Sequence, residues 1–152
     1  MKSSETNATA TFRIFPKQLN NHGTVFGGQM MAWLDDVTSV SAQRFARAEI
    51  VTGSFDHIRF VQPAKIGDAL EIQTYVSGVG TRSLEVFAKL IGEHLPSGER
   101  FLVGTAFATY VVVDPDYVAP TLTFDTAEAQ AVNAGYAERR SQAKLDVDLD
   151  LS

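Results

Sequence analysis

The chain has 152 residues, no cysteine and a formal net charge of −5, a length that suits one domain with a proper core and excludes a second independent one. Without cysteine there are no disulfides, no thiolate catalysis and no Cys-based zinc sites. The acidic balance argues against a phosphate backbone as partner, and no window approaches the ~18 apolar residues that span a bilayer, so a cytoplasmic chain with neither nucleic-acid nor membrane partners is expected.

In chain order, residues 1–10 are small and polar and read as a flexible start. Ala10 to Phe15 alternates as a short strand stopped by Pro16. A glycine-rich loop, Asn20 to Gly28, leads into a stretch from Gln29 to about Ala48 without Gly or Pro. There Met30, Leu34, Val37, Ser41 and Phe45 fall at helical spacing, with Met31 and Trp33 beside them. This predicts one long central helix, apolar around most of its circumference and wrapped by other structure.

The period then changes to two. Ile50 to Phe60 reads as a strand, Pro63 to Asp68 as a turn, and Leu70, Ile72, Thr74 and Val76 as one face of the next strand, which Gly78 and Gly80 break. Ser83 to Ile91 follows, then a turn at Leu95-Pro96-Ser97-Gly98 and a long strand from Arg100 to Val113. In that last strand Phe101, Val103, Phe107 and Val111 are expected on one face and Gly104, Ala106 and Ala108 on the other, where a helix can approach closely. Thr123 to Lys144 reads as a surface helix opened by a capping box of Asp125 and Glu128, and Asp146 to Ser152 as a disordered tail.

One buried helix after a short strand, followed by four tightly connected strands, describes an α+β domain whose antiparallel sheet curls around its helix, the hotdog architecture. The expected organisation is a flexible 1–10, a hotdog domain over 11–115, a helical extension over 116–145 and a tail over 146–152.

The loop and helix entry, Asn20-x-x-Gly23-x-x-Phe26-Gly27-Gly28-x-x-Met31-x-x-x-Asp35, resembles the signature of the long-chain acyl-CoA thioester hydrolase family of hotdog enzymes. The turn Pro63-x-x-x-Gly67-Asp68 and the segment Gly80-Thr81-Arg82-Ser83-Leu84-Glu85-Val86 are similar to further family segments in the same order. Two departures stand out: the family often reads Asp-x-Asn where this chain has Gln18-Leu19-Asn20, and its Arg-Thr order is reversed at Thr81-Arg82. The resemblance implies hydrolysis of acyl-CoA by water, with Asp35 catalytic on the helix and Asn20 from the preceding loop. Asp36 and Asn21 are the neighbouring competitors. It also implies coenzyme A contacts at Thr81, Arg82 and Ser83, with Arg59 and Lys65 weaker candidates of the same kind. Coenzyme A would be part of the substrate, with no cofactor and no metal. The implied assembly is a homodimer with shared active sites, Asn20 from one subunit and Asp35 from the other, grouped into a homohexamer as a trimer of dimers.

The residues make chemical sense of this. A thioester carbonyl needs an activated water or a carboxylate nucleophile, donors for the developing oxyanion, and exclusion of bulk water. Asp35 supplies the carboxylate. Gly27 and Gly28 open the helix, where unpaired N–H groups and the positive dipole end favour an oxyanion. A plain reading stands beside each: a helical carboxylate is usually a solvated face residue, asparagines before a helix are usually turn residues, and Thr81-Arg82-Ser83 is by default a hairpin. Two other functions compete. A hotdog hydratase or dehydratase would need a histidine paired with a carboxylate, for which His57 beside Asp56 is the candidate. A non-catalytic acyl-CoA-binding module would keep the cleft and lack turnover.

Overall fold

The apolar stretch after Phe26 forms α1, Gly27–Ala46, in a computed structural model that describes residues 1–143 and 147–152. The helix starts two residues earlier than the periodicity indicates, so the glycine pair lies inside its first turn. It stops at Arg47, whose left-handed φ of 49° turns the chain while its N–H donates to the Gln43 carbonyl. Met30, Trp33, Leu34, Val37, Thr38, Ser41, Ala42, Phe45 and Ala46 are buried at three- and four-residue intervals. The expected wrapping is incomplete, because a strip through Ala32, Asp36, Val40 and Gln43 is open to solvent in the single chain.

The sheet that α1 packs on is antiparallel, five-stranded and ordered β1-β3-β4-β5-β2. Its strands are β1 (Ala8–Arg13), β2 (Ile50–Phe60), β3 (Ala69–Val79), β4 (Ser83–His94) and β5 (Glu99–Val112). Leu70, Ile72 and Val76 of β3, Leu84, Val86, Ala88 and Leu90 of β4, and Ala106, Ala108 and Val112 of β5 form the buried inner face. Fully burying one such large aliphatic side chain contributes about 1.5–3 kcal/mol. Two polar ties cross this layer: Thr38 meets Tyr110 at 2.8 Å, and Ser41 meets Thr74 at 2.6 Å.

Strand β5 departs from the strict alternation expected of it. Leu90 opposes Gly104 while Ile91 opposes Leu102, so Val103 is an extra residue. That bulge reverses the parity, and Val103 and Phe101 join the core with Ala106 and Ala108 instead of facing away from them. Gly104 is glycine for a reason of space, since a Cβ there would run into the Arg59 carbonyl of β2. Strand β2 lies at the sheet edge, and its register with β5 shifts between Thr52 and Ser54 and again between Asp56 and Arg59.

The ends of the chain are more structured than composition suggests. Residues 3–6 form a 3-10 turn, Ser3 and Thr6 are buried, and Asp125 accepts hydrogen bonds from the Ser3 and Ser4 hydroxyls. Those serines hold the Asp125 carboxyl down to about 2. The expected single C-terminal helix is two, α2 (Ala127–Ala134) and α3 (Tyr136–Gln142), divided at Gly135. Thr126, not Asp125, caps α2 by accepting from the Ala129 N–H. Glu128 bonds Lys89 and Tyr75 on the outer sheet face. In α3, Tyr136 lies against Gly78, where any Cβ would collide with its ring, and Arg139 donates two hydrogen bonds to Glu85. Residues 147–152 have no regular secondary structure, while Lys144 and Asp146, at the bounds of the expected helix and tail, lie outside the described residues. No helix among the described residues is long and apolar enough to cross a membrane.

Candidate active site

Asp35 sits two turns into α1, half-buried, where the helix crosses the end of the sheet. Its Oδ1 accepts a hydrogen bond from the Thr52 hydroxyl at 2.9 Å and another from the Tyr110 hydroxyl at 2.9 Å. Thr52 and Tyr110 are direct cross-strand partners on β2 and β5, so one rung of the sheet presents both donors to one oxygen. Among the described residues Oδ2 has no hydrogen-bond partner. Asp36, one residue on, is exposed in the open strip of the helix. The two adjacent aspartates therefore differ in kind: one is held, the other solvated.

A second group of candidates gathers at the helix start. No side chain caps α1, and the first bond of the helix is from the Met30 N–H to the Phe26 carbonyl, which leaves the N–H groups of Gly27, Gly28 and Gln29 without acceptors among the described residues. Space over Gly27 is open, with nothing within 4 Å of where a Cβ would be. Gly27, Asn20, Met30, Phe60, Val61 and Val103 line a cleft of about 350 Å³ whose wall is mostly apolar. Within that cleft Asn20 acts as a turn former: its Oδ1 accepts from the His22 N–H at 2.8 Å, and its Nδ2 donates to the Thr24 hydroxyl at 3.0 Å. The second Nδ2 proton has no acceptor among the described residues. Asn21 is exposed.

A single chain does not unite these groups. Eight residues of helix separate Gly27 from Asp35, about 12 Å along the axis, whereas one reacting carbonyl must lie within about 3 Å of both its base and its oxyanion donors.

The residues expected at coenzyme A are arranged as follows. Arg82 donates through Nε and Nη2 to the Val112 carbonyl and through Nη2 to the Val113 carbonyl, fastening the β3–β4 turn to the end of β5. Ser83 accepts from Arg140 of α3 at 2.6 Å. Thr81 and Arg59 are exposed, and the Lys65 N–H is bonded by Asp68. His57 and Asp56 form no dyad: the Ser54 hydroxyl bonds Asp56, and His57 packs edge-on against Phe107 on the outer face, across the sheet from Asp35. His57 has a left-handed φ of 51° at the β2 irregularity. Sequence reasoning missed the pair His94 and Asp68, 2.7 Å apart, which buckles the Pro63–Asp68 turn to the end of β4. Among the described residues no group of histidine and carboxylate side chains is arranged to hold a metal ion.

Thr52 and Tyr110 also escaped sequence reasoning. The signal available was faint: Tyr110 is the single large polar side chain on a strand face that otherwise presents alanines and a valine to the helix.

Comparison with known proteins gives the family and the fold. Residues 22–96 match the model of the thioesterase superfamily. The uncharacterized acyl-CoA thioester hydrolase YkhA of Bacillus subtilis is 39% identical over 143 residues, covering 92% of this chain and 83% of its own. Among solved structures, an apo-hexameric acyl-CoA thioesterase is 29% identical with a TM-score of 0.87, covering 93% of each chain. An acyl-CoA hydrolase from Staphylococcus aureus, solved with butyryl coenzyme A and coenzyme A, is 27% identical with a TM-score of 0.87, covering 93% of this chain and 88% of that one. Alanine mutants of that enzyme at an asparagine, an aspartate and a threonine were also solved, and their spacing along the chain equals that of Asn20, Asp35 and Thr52. By its sequence and its fold, this chain belongs to the acyl-CoA thioester hydrolases of the thioesterase superfamily.

Proposed function

We propose that this acyl-CoA thioesterase carries out hydrolysis with Asp35 as its reacting carboxylate. The observation that carries the assignment is the division of labour within that side chain: Oδ1 is fixed by two hydroxyl donors and Oδ2 is open. As a base, Oδ2 takes a proton from water as the water oxygen adds to the thioester carbonyl. As a nucleophile, it adds to the carbonyl itself, and the resulting anhydride is then hydrolysed. In either course the oxyanion is met by the Gly27 and Gly28 N–H groups, and collapse expels the coenzyme A thiolate, which regains a proton. A single turnover in ¹⁸O-water separates the two, because only the anhydride route leaves label in Asp35 when water attacks there.

Because about 12 Å of helix separates Asp35 from the glycine N–H groups of its own chain, the working site is composite. Asp35 and Thr52 come from one subunit, and Gly27, Gly28 and Asn20 from its partner. The free edge of β2, the exposed Val51, Phe60 and Val61, and the open strip of α1 support a two-fold pairing that continues the sheet. The hexameric relative supports grouping of such dimers in threes. Coenzyme A lies along the exposed Arg59 and the Thr81–Ser83 turn, where Nη1 of Arg82 is the guanidinium nitrogen left to meet a phosphate. The spacing shared with the three mutated positions of the Staphylococcus aureus hydrolase supports Asn20, Asp35 and Thr52 as one working set.

The test is release of free thiol from a series of acyl-CoA chain lengths. Asp35→Asn is expected to abolish turnover, with melting and acyl-CoA binding retained, while Asp36→Asn keeps most of it. Equal losses at the two positions in folded protein would overturn the assignment. Binding without thiol release at any chain length in the unmodified protein would make it a sensor instead.

A further inference from the structure

We propose that Tyr110 is a positioning residue for catalysis: its buried hydroxyl donates to Asp35 Oδ1, holds that carboxylate in place and turns Oδ2 toward the reacting carbonyl. This rests on the reading of Asp35 as the reacting group. The Tyr110 hydroxyl lies 2.9 Å from Asp35 Oδ1, 3.0 Å from the Asp35 carbonyl oxygen and 2.8 Å from the Thr38 hydroxyl. It thus touches Asp35 at both its backbone and its side chain, which fixes the carboxylate relative to its own helical turn.

One phenol proton faces three acceptors, and chemistry ranks them. An ionised carboxylate is the strongest. Thr38 has its own proton engaged with the Leu34 carbonyl at 2.6 Å, so it is satisfied without Tyr110. A phenylalanine would fill the same space, because the Tyr110 ring is only 1% exposed and packs among Ala42, Phe45 and Val112. What the hydroxyl adds is therefore directed at Asp35. Burial first, and the neighbouring Asp35 charge with it, push the phenol well above the ordinary tyrosine range against the opposing Thr38 and Thr52 bonds, so it stays a donor and does not ionise at working pH. Thr52 supplies the other donor to Oδ1 from the edge strand. Tyr110 is buried, and nothing replaces it.

When Oδ2 takes a proton, Asp35 becomes neutral and Oδ1 a weaker acceptor. The phenol proton can then swing to Thr38 or the Asp35 carbonyl, and it returns when the proton leaves. Tyr110 thereby keeps hold of the side chain without joining the transfer.

Tyr110→Phe should lower kcat roughly tenfold with KM changed less than about twofold. The carboxylate stretch of Asp35, picked out by isotope-edited infrared difference against Asp35→Asn, should shift in Tyr110→Phe, because one donor to Oδ1 is gone. Installing 3-fluorotyrosine at position 110, a stronger donor of nearly the same shape, should move that stretch the other way. A packing role moves neither. The proposal is overturned if Tyr110→Phe is folded and its kcat and carboxylate stretch both match the parent while Asp35→Asn is inactive. If Tyr110→Phe does not fold, an unmoved stretch in the fluorotyrosine protein overturns it instead. Full activity in Asp35→Asn would remove the Asp35 reading itself, a distinct result.

Discussion

At the scale of single residues, what matters at Asp35 is the difference between its two oxygens, and Thr52 offers the simplest way to perturb it. Thr52→Val keeps the β-branched shape and removes one donor to Oδ1, so kcat should fall several-fold, while Thr52→Ser restores the donor and should recover most of it. Loss in both variants would point to the methyl group and not the hydroxyl. As candidates, Asp35 and the two glycines were legible in the sequence, because they sit close together in one loop and helix whose spacing is local. Thr52 and Tyr110 were not legible. They reach Asp35 from separations of 17 and 75 residues, and only the strand register brings them opposite each other. Arg82 shows the converse: its type and position suggested a phosphate ligand, yet most of its donors close the turn on Val112 and Val113.

At the scale of elements, α1 and the five strands follow from periodicity alone, since a change from period 3.6 to period two is a strong signal. The bulge at Val103 does not, because one extra residue in a strand of alternating apolar side chains leaves no mark in composition. The C-terminal extension was read as one helix because Gly135 costs a helix only about 1 kcal/mol. Its two halves hold on by different means: α2 by Glu128 on Lys89 and Tyr75, and α3 by Arg139, whose guanidinium pairs with Glu85 and lies 4.0 Å over the Phe107 ring. Arg139→Gln leaves Glu85 buried without its partner, which should lower stability by about 2–3 kcal/mol and melting by several degrees. Adding Glu85→Gln should recover part of that loss. A double variant as unstable as the sum of the two single ones would mean that they act independently.

At the scale of the whole molecule, the shared-site arrangement predicts complementation. Asn20→Ala and Asp35→Asn chains, each inactive alone, should regain activity when subunits exchange. Every mixed dimer then has one site with both defects and one with neither, so activity approaches about a quarter of the parent for random equimolar pairing. If mass spectrometry shows exchange and activity stays flat, both residues serve one subunit's site and the shared-site model fails. That β2 lies at the edge was not legible in the strand itself, which alternates like any other. It follows from the strand order, which puts β2 last, with none of its residues fully buried. That edge has one more consequence, for the interval between synthesis and assembly. An eleven-residue strand paired on one side only would ordinarily invite any extended chain nearby to dock on the other, the first step toward fibrils. The two register breaks in β2, with the left-handed turn at His57 in the second, coil that edge so that a straight foreign strand cannot follow it for long. Under the proposed pairing, the one strand that fits this contour is the same edge of a second copy, so the irregularity that turns foreign strands away would admit the partner.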